Sequence, residues 1–113
     1  MSSKKVNIFM IDDHPSMIEG YKSILSYNDL GYEINVTSAF DCESAYKRMM
    51  KSEDLYEFDM VFLDLSLPPY EEKNINSGQD LAILAKKKYP FAKIVILTSH
   101  AEAFILYDIQ TNI

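Results

Sequence analysis

One cysteine, Cys42, is all that the 113-residue chain contains, so neither an intramolecular disulfide nor a zinc site built from several thiolates is possible. A reducing compartment is the easier fit, and Cys42 reads as a small packing residue. Long apolar runs are also missing. Nothing approaches the roughly 20 residues that span a bilayer, and Met1-Ser2-Ser3-Lys4-Lys5 leads straight into a strand-like run without a cleavage-site pattern. A cytoplasmic location with no membrane contact is expected. Basic residues are in deficit, 11 against 17 acidic, and the formal charge of −6 repels a nucleic-acid backbone rather than neutralising it. Direct DNA or RNA binding by this segment is therefore not expected. No linker, internal repeat or low-complexity tract divides the chain, and its length suits one domain over residues 1–113, with no room for a second catalytic or DNA-binding module.

What is present has a regular order. Val6 to Ile11, Met60 to Leu63 and Ile94 to Leu97 are short, β-branched apolar runs of the kind that form strands buried on both faces. In Tyr32 to Thr37 apolar and polar residues alternate, which predicts an edge strand with one face less covered. Helical spacing fills the intervals. Pro15 opens a helix with Met17, Ile18, Tyr21, Ile24 and Leu25 on one face. Asp41 is placed to cap a second that gathers Cys42, Ala45 and Met49. A third is capped through Ser77 and Asp80, carries Leu81, Leu84 and Ala85, and stops at Tyr89-Pro90. Ser99-His100-Ala101-Glu102 predicts a fourth, running through Phe104, Ile105 and Tyr107. Strand and helix thus alternate, which with right-handed crossovers gives a doubly wound parallel sheet covered on both faces. The one long connection, Leu65 to Ser77, carries Pro68-Pro69 and has the length of a functional or mobile loop.

In such a sheet ligands sit beyond the carboxyl ends of the strands. Those ends here are Asp12-Asp13, Asp64 and Thr98-Ser99. Taken singly, the acidic pair and the hydroxyls are ordinary helix caps. Asp64 resists that reading, because a buried apolar strand ends on it and no helix follows at once. Three carboxylates gathered at one rim repel one another and raise each other's pKa unless a cation intervenes. With only oxygen donors at these positions the expected ion is hard, with Mg²⁺ the best fit. Asp13 and Asp64 are its expected direct ligands, with Asp12 acting through a water. The ion would also offset the charge of a phosphoryl group, allowing a carboxylate to attack phosphorus and form an acyl phosphate.

Ile11-Asp12-Asp13-His14-Pro15, Val61-Phe62-Leu63-Asp64-Leu65 with Pro68, and Ile94-Val95-Ile96-Leu97-Thr98 resemble the receiver domains of bacterial two-component response regulators. The resemblance covers nearly the whole chain. It implies a flavodoxin-like sheet and a Mg²⁺-dependent phosphoacceptor, not an enzyme acting on free substrates. By that resemblance Asp64 accepts the phosphoryl group from a sensor histidine kinase or phosphotransfer protein. Asp12, Asp13 and Asp64 hold the metal together with the backbone carbonyl of Ser66, and Thr98 binds the phosphoryl group and acts as the switch. The Asp-Asp-His-Pro string with Glu19-Gly20 is most similar to the subgroup carrying a C-terminal helix-turn-helix output domain that regulates transcription. His14 is expected to mark that subgroup and to be placed by local turn geometry.

Two departures from the family pattern stand out. The sequence reaches Ile113 without the fifth parallel strand, its terminal lysine or the fifth helix of a receiver, so the expectation is a truncated domain with no switch lysine. An exposed apolar edge at Ile94 to Leu97 would then favour completion of the sheet by association, a homodimer included. The loop Pro69 to Asn76 is also longer than the family's path to the glycine matched by Gly78, and bears on kinase access or on the lifetime of the phosphoryl group. Two rivals differ in class. An Asp-nucleophile phosphatase needs a second Asp two residues beyond its nucleophile on the first strand, where this chain has His14. A receiver-shaped interaction module that no longer uses phosphate is opposed by the complete set Asp12, Asp13 and Asp64.

Overall fold

A computed structural model describes residues 4–27 and 30–97, together with the backbone of 107–109. The elements run β1 (Lys5–Ile11), α1 (Pro15–Ser26), β2 (Glu33–Ala39), α2 (Cys42–Met50), β3 (Met60–Asp64), a 3₁₀ turn (Glu71–Lys73), α3 (Gly78–Lys88), β4 (Lys93–Leu97) and β5 (Tyr107–Ile109). Sheet order is β2-β1-β3-β4-β5. The first four strands are parallel, with Ile11 beside both Ala39 and Leu63, and Asp64 beside Leu97.

The period of two along β1 explains why both faces are covered. Ile8 and Met10 point to one side, where they meet Ile18 of α1 with Tyr21 and Leu25 at the margin. Phe9 and Ile11 point to the other, into the larger core with Val61, Leu63, Ile94 and Ile96. There α2 contributes Cys42, Ala45 and Met49, and α3 contributes Leu81, Ala82 and Ala85, all fully buried. The expected stripe on α1 was too broad, since Met17 and Ile24 remain exposed. Two of the predicted caps form: Asp41 accepts from the Ser44 amide at 2.7 Å, and Ser77 accepts from the Asp80 amide at 3.5 Å.

Three expectations change. Strand β3 extends through Asp64, and the edge strand β2 runs to Ala39. Tyr107 lies in β5 rather than in a helix, and β5 pairs antiparallel with β4 through Ile94 and Ile109, Val95 and Asp108, and Ile96 and Tyr107. An apolar strand with open amide and carbonyl groups is a strong template for pairing, and three residues of strand here outweigh the helical spacing. The predicted helix start at Ser99 to Glu102, with Phe104 and Ile105, lies outside the described residues.

The long connection after β3 is built rather than open. Tyr70 and Ile75 exchange both backbone hydrogen bonds, at 2.8 and 3.1 Å, around the 3₁₀ turn and Asn74 at φ 57°. Ile75 is 6% exposed in the main core. Tyr70 meets Tyr46 of α2 edge to face at 5.7 Å. Among the described residues no helix is long and apolar enough to cross a membrane.

Candidate metal and phosphoacceptor site

Parallel pairing of β1 with β3 brings their carboxyl ends side by side, and the residues that end them are acidic. Asp64 closes β3, while Asp12 and Asp13 follow β1 directly. The Asp64 side chain is 4% exposed, Asp12 11% and Asp13 30%, so the cluster grades from buried floor to open rim. One Asp64 oxygen, Oδ1, accepts the Ser66 backbone N–H at 2.9 Å, which fixes the plane of the carboxylate. Burial pushes the Asp64 pKa up, the Ser66 N–H opposes that shift, and the charges of Asp12 and Asp13 add to it.

Gly78 is part of the same construction. A Cβ there would lie 2.2 Å from the Asp64 carbonyl oxygen and 2.9 Å from the Leu65 Cα, so the first turn of α3 packs against the backbone of the acidic residue only because the side chain is hydrogen.

Sequence reasoning set His14 aside, and the structure brings it in. Its backbone N–H donates to Asp12 Oδ1 at 2.9 Å, a local turn that carries the ring back over the acidic pair. Nδ1 lies 3.0 Å from Asp12 Oδ1, 2.8 Å from Asp13 Oδ1 and 3.9 Å from Asp64 Oδ2. The hydrogen bond to Asp12, then the charge of Asp13, raise the His14 pKa. Even so, Asp13 Oδ1 is buried without a hydrogen-bond partner, because the Nδ1 bond is directed at Asp12. The only advance signal was the position of His14 two residues beyond Asp12, the reach of an aspartate side chain to a backbone amide. An imidazole nitrogen thus stands beside the three carboxylates on which the sequence reading drew.

One donor atom from each of Asp12, Asp13, His14 and Asp64 lies within 4.8 Å of the others. A divalent cation fits this set: it would offset three carboxylates and satisfy the orphaned oxygen of Asp13. Ser66 is placed by its amide on Asp64. Thr98 lies outside the described residues.

A family profile for the response regulator receiver domain matches residues 8–110. The oxygen regulatory protein NreC of Staphylococcus aureus is 32% identical over 108 residues, covering 95% of this chain and 44% of NreC. The chain thus spans less than half the length of that curated relative. Among solved structures, a response regulator from Burkholderia pseudomallei, described with a phosphorylated aspartic acid, a calcium ion and citrate, aligns with a TM-score of 0.62 at 25% identity, over 85% of this chain and 48% of that one. A LuxR-family two-component response regulator from Aurantimonas aligns with a TM-score of 0.62 at 27% identity, over 88% of this chain and 61% of that one.

Proposed function

The chain belongs to the family of response regulator receiver domains, the phosphoacceptor switches of two-component signalling, and from that membership we propose that Asp64 is the residue phosphorylated. The observation that carries the proposal is a buried carboxylate at the end of β3 facing two more carboxylates at the end of β1. The phosphorylated aspartate and calcium ion of the Burkholderia relative support both halves of it.

In this reading residues 1–113 are one receiver unit. The phosphodonor is a phosphohistidine on a sensor kinase or phosphotransfer protein. An Asp64 carboxylate oxygen attacks phosphorus in line, the P–N bond to the donor imidazole breaks, and the imidazole leaves as the neutral base after taking a proton. The Ser66 N–H holds the Asp64 carboxylate in place for the attack. Asp12, Asp13, Asp64 and the Ser66 carbonyl would hold Mg²⁺, whose charge offsets that of the transferring phosphoryl oxygens. Thr98, next after β4, is the group assigned to bind the phosphoryl oxygens once transferred. The domain acts on its own carboxylate rather than turning over free substrate, so it is a switch and not a conventional enzyme. In the parent protein the signal passes to a helix-turn-helix output domain and so to transcription, within the cytoplasm; this acidic segment does not itself grip DNA.

Intact mass after incubation with acetyl phosphate tests the assignment. The expected result is one phosphoryl group gained by the wild-type chain with Mg²⁺, and none without the ion or in Asp64→Asn. An equal gain in Asp64→Asn would refute Asp64 as acceptor, and no gain in any variant would favour the interaction module that no longer uses phosphate.

A further inference from the structure

We infer that the His14 imidazole is itself a metal ligand in this chain, adding a nitrogen donor to the carboxylates and tilting the site toward imidazole-accepting divalent ions such as Ni²⁺ relative to Mg²⁺. The inference rests on the reading of the acidic cluster as a divalent-cation site, and it concerns what this chain adds to that site.

Donor spacing is the first argument. Around an octahedral ion with bonds of about 2.1 Å, adjacent donors lie about 3.0 Å apart and opposite donors about 4.2 Å apart. His14 Nδ1 stands 2.8 Å from Asp13 Oδ1 and 3.0 Å from Asp12 Oδ1, the separations of neighbours on one coordination sphere. Its 3.9 Å to Asp64 Oδ2 falls between the adjacent and opposite values. The full donor set lies within 4.8 Å, so a small inward shift of the carboxylates would bring it onto one ion.

Satisfaction of the donors is the second. A single N–H on Nδ1 serves one acceptor, and here it serves Asp12. Asp13 Oδ1 is left buried without a hydrogen bond, although the same nitrogen is 2.8 Å away. One proton does not answer both carboxylates, whereas one cation bonds to both oxygens and to the ring nitrogen at once. The His14 side chain is 57% exposed, so its position follows from the acidic groups and the local turn rather than from packing.

Ligand chemistry turns this geometry into a preference. Carboxylates and carbonyls suit Mg²⁺, while imidazole suits Ni²⁺, Zn²⁺ and their neighbours. A second role for the same ring gives the opposite result. Were His14 only an internal counter-ion, any entering cation would have to displace it, and removing it would tighten every divalent ion alike.

Calorimetric titration of the untagged chain with MgCl₂ and, separately, NiCl₂ distinguishes these roles, using wild type, His14→Ala and Asp64→Asn at one neutral pH. A nickel affinity unchanged in Asp64→Asn would place that ion outside the shared site and overturn the inference. The expected result is that wild type binds both ions, Asp64→Asn loses both, and His14→Ala lowers the Ni²⁺ to Mg²⁺ affinity ratio by about tenfold or more. An unchanged ratio, or equal tightening of both ions in His14→Ala, would overturn the ligand role while leaving the cation site standing. Absence of Mg²⁺ binding in wild type would overturn the site and the inference together.

Discussion

Gly78 opens α3 against the backbone of Asp64, and a methyl group there would collide with main-chain atoms that have no rotamer to change. Gly78→Ala is therefore expected to cost about 1–3 kcal/mol as an overpacking change and to slow phosphoryl uptake by displacing Asp64. A urea midpoint and a phosphorylation time course on the same protein would check both effects. The Asp41 cap is a second residue-level case. Its hydrogen bonds from Ser44 hold the Asp41 pKa below its ordinary value of 3.8, so its contribution is present above that value and fades as the pH falls through the lower folded one. Asp41→Ala is expected to lose about 1 kcal/mol at neutral pH, with the gap to wild type closing in strong acid. Urea midpoints across that range would check it. Asp41, Asp64 and the Asp12-Asp13 pair were legible in the sequence because each sits where a periodic run stops. His14 was not, because a rotamer and a turn over two residues decide where its ring lies, and neither leaves a periodic trace.

At the scale of elements the inserted loop shows what composition hides. Its length suggested a functional or mobile connection, and within it Tyr70 and Ile75 pair and Ile75 is buried with the main core. A two-residue bridge is too short to produce alternation, so the sequence reads as loop. Ile75→Ala is expected to destabilise by about 2–5 kcal/mol and to release the amides of Tyr70 and Ile75 to hydrogen exchange ahead of those in β3. If the two amides exchange no faster than in wild type, Ile75 does not anchor the loop. The opposite error occurred at Tyr107, where helical spacing was visible but the open edge of β4 was the stronger influence. A neighbouring strand's demand for partners is written in the fold and not in the segment that meets it. At the other end of the molecule, Arg48 pairs with Glu57, and Ser52 hydrogen-bonds the buried Tyr89 hydroxyl at 2.5 Å. That network ties the C-terminal ends of α2 and α3 far from the acidic rim.

For the whole molecule, one topological fact produces the site. Parallel pairing of β1 to β4 brings their carboxyl ends to the same rim, so Asp64 shares one cluster with Asp12 and Asp13, more than fifty residues earlier in the sequence. Three of the 17 acidic side chains are thereby gathered at one rim, and the apolar cores on either face of the sheet keep the strand ends fixed. Borohydride trapping of the acetyl phosphate-treated protein tests this account most directly, because hydride reduces an aspartyl phosphate to homoserine and peptide mass mapping then names the residue. The account expects homoserine at Asp64 alone and only when a divalent cation was present. Homoserine at Asp12 or Asp13, or phosphate recovered on a residue outside the cluster, would contradict it.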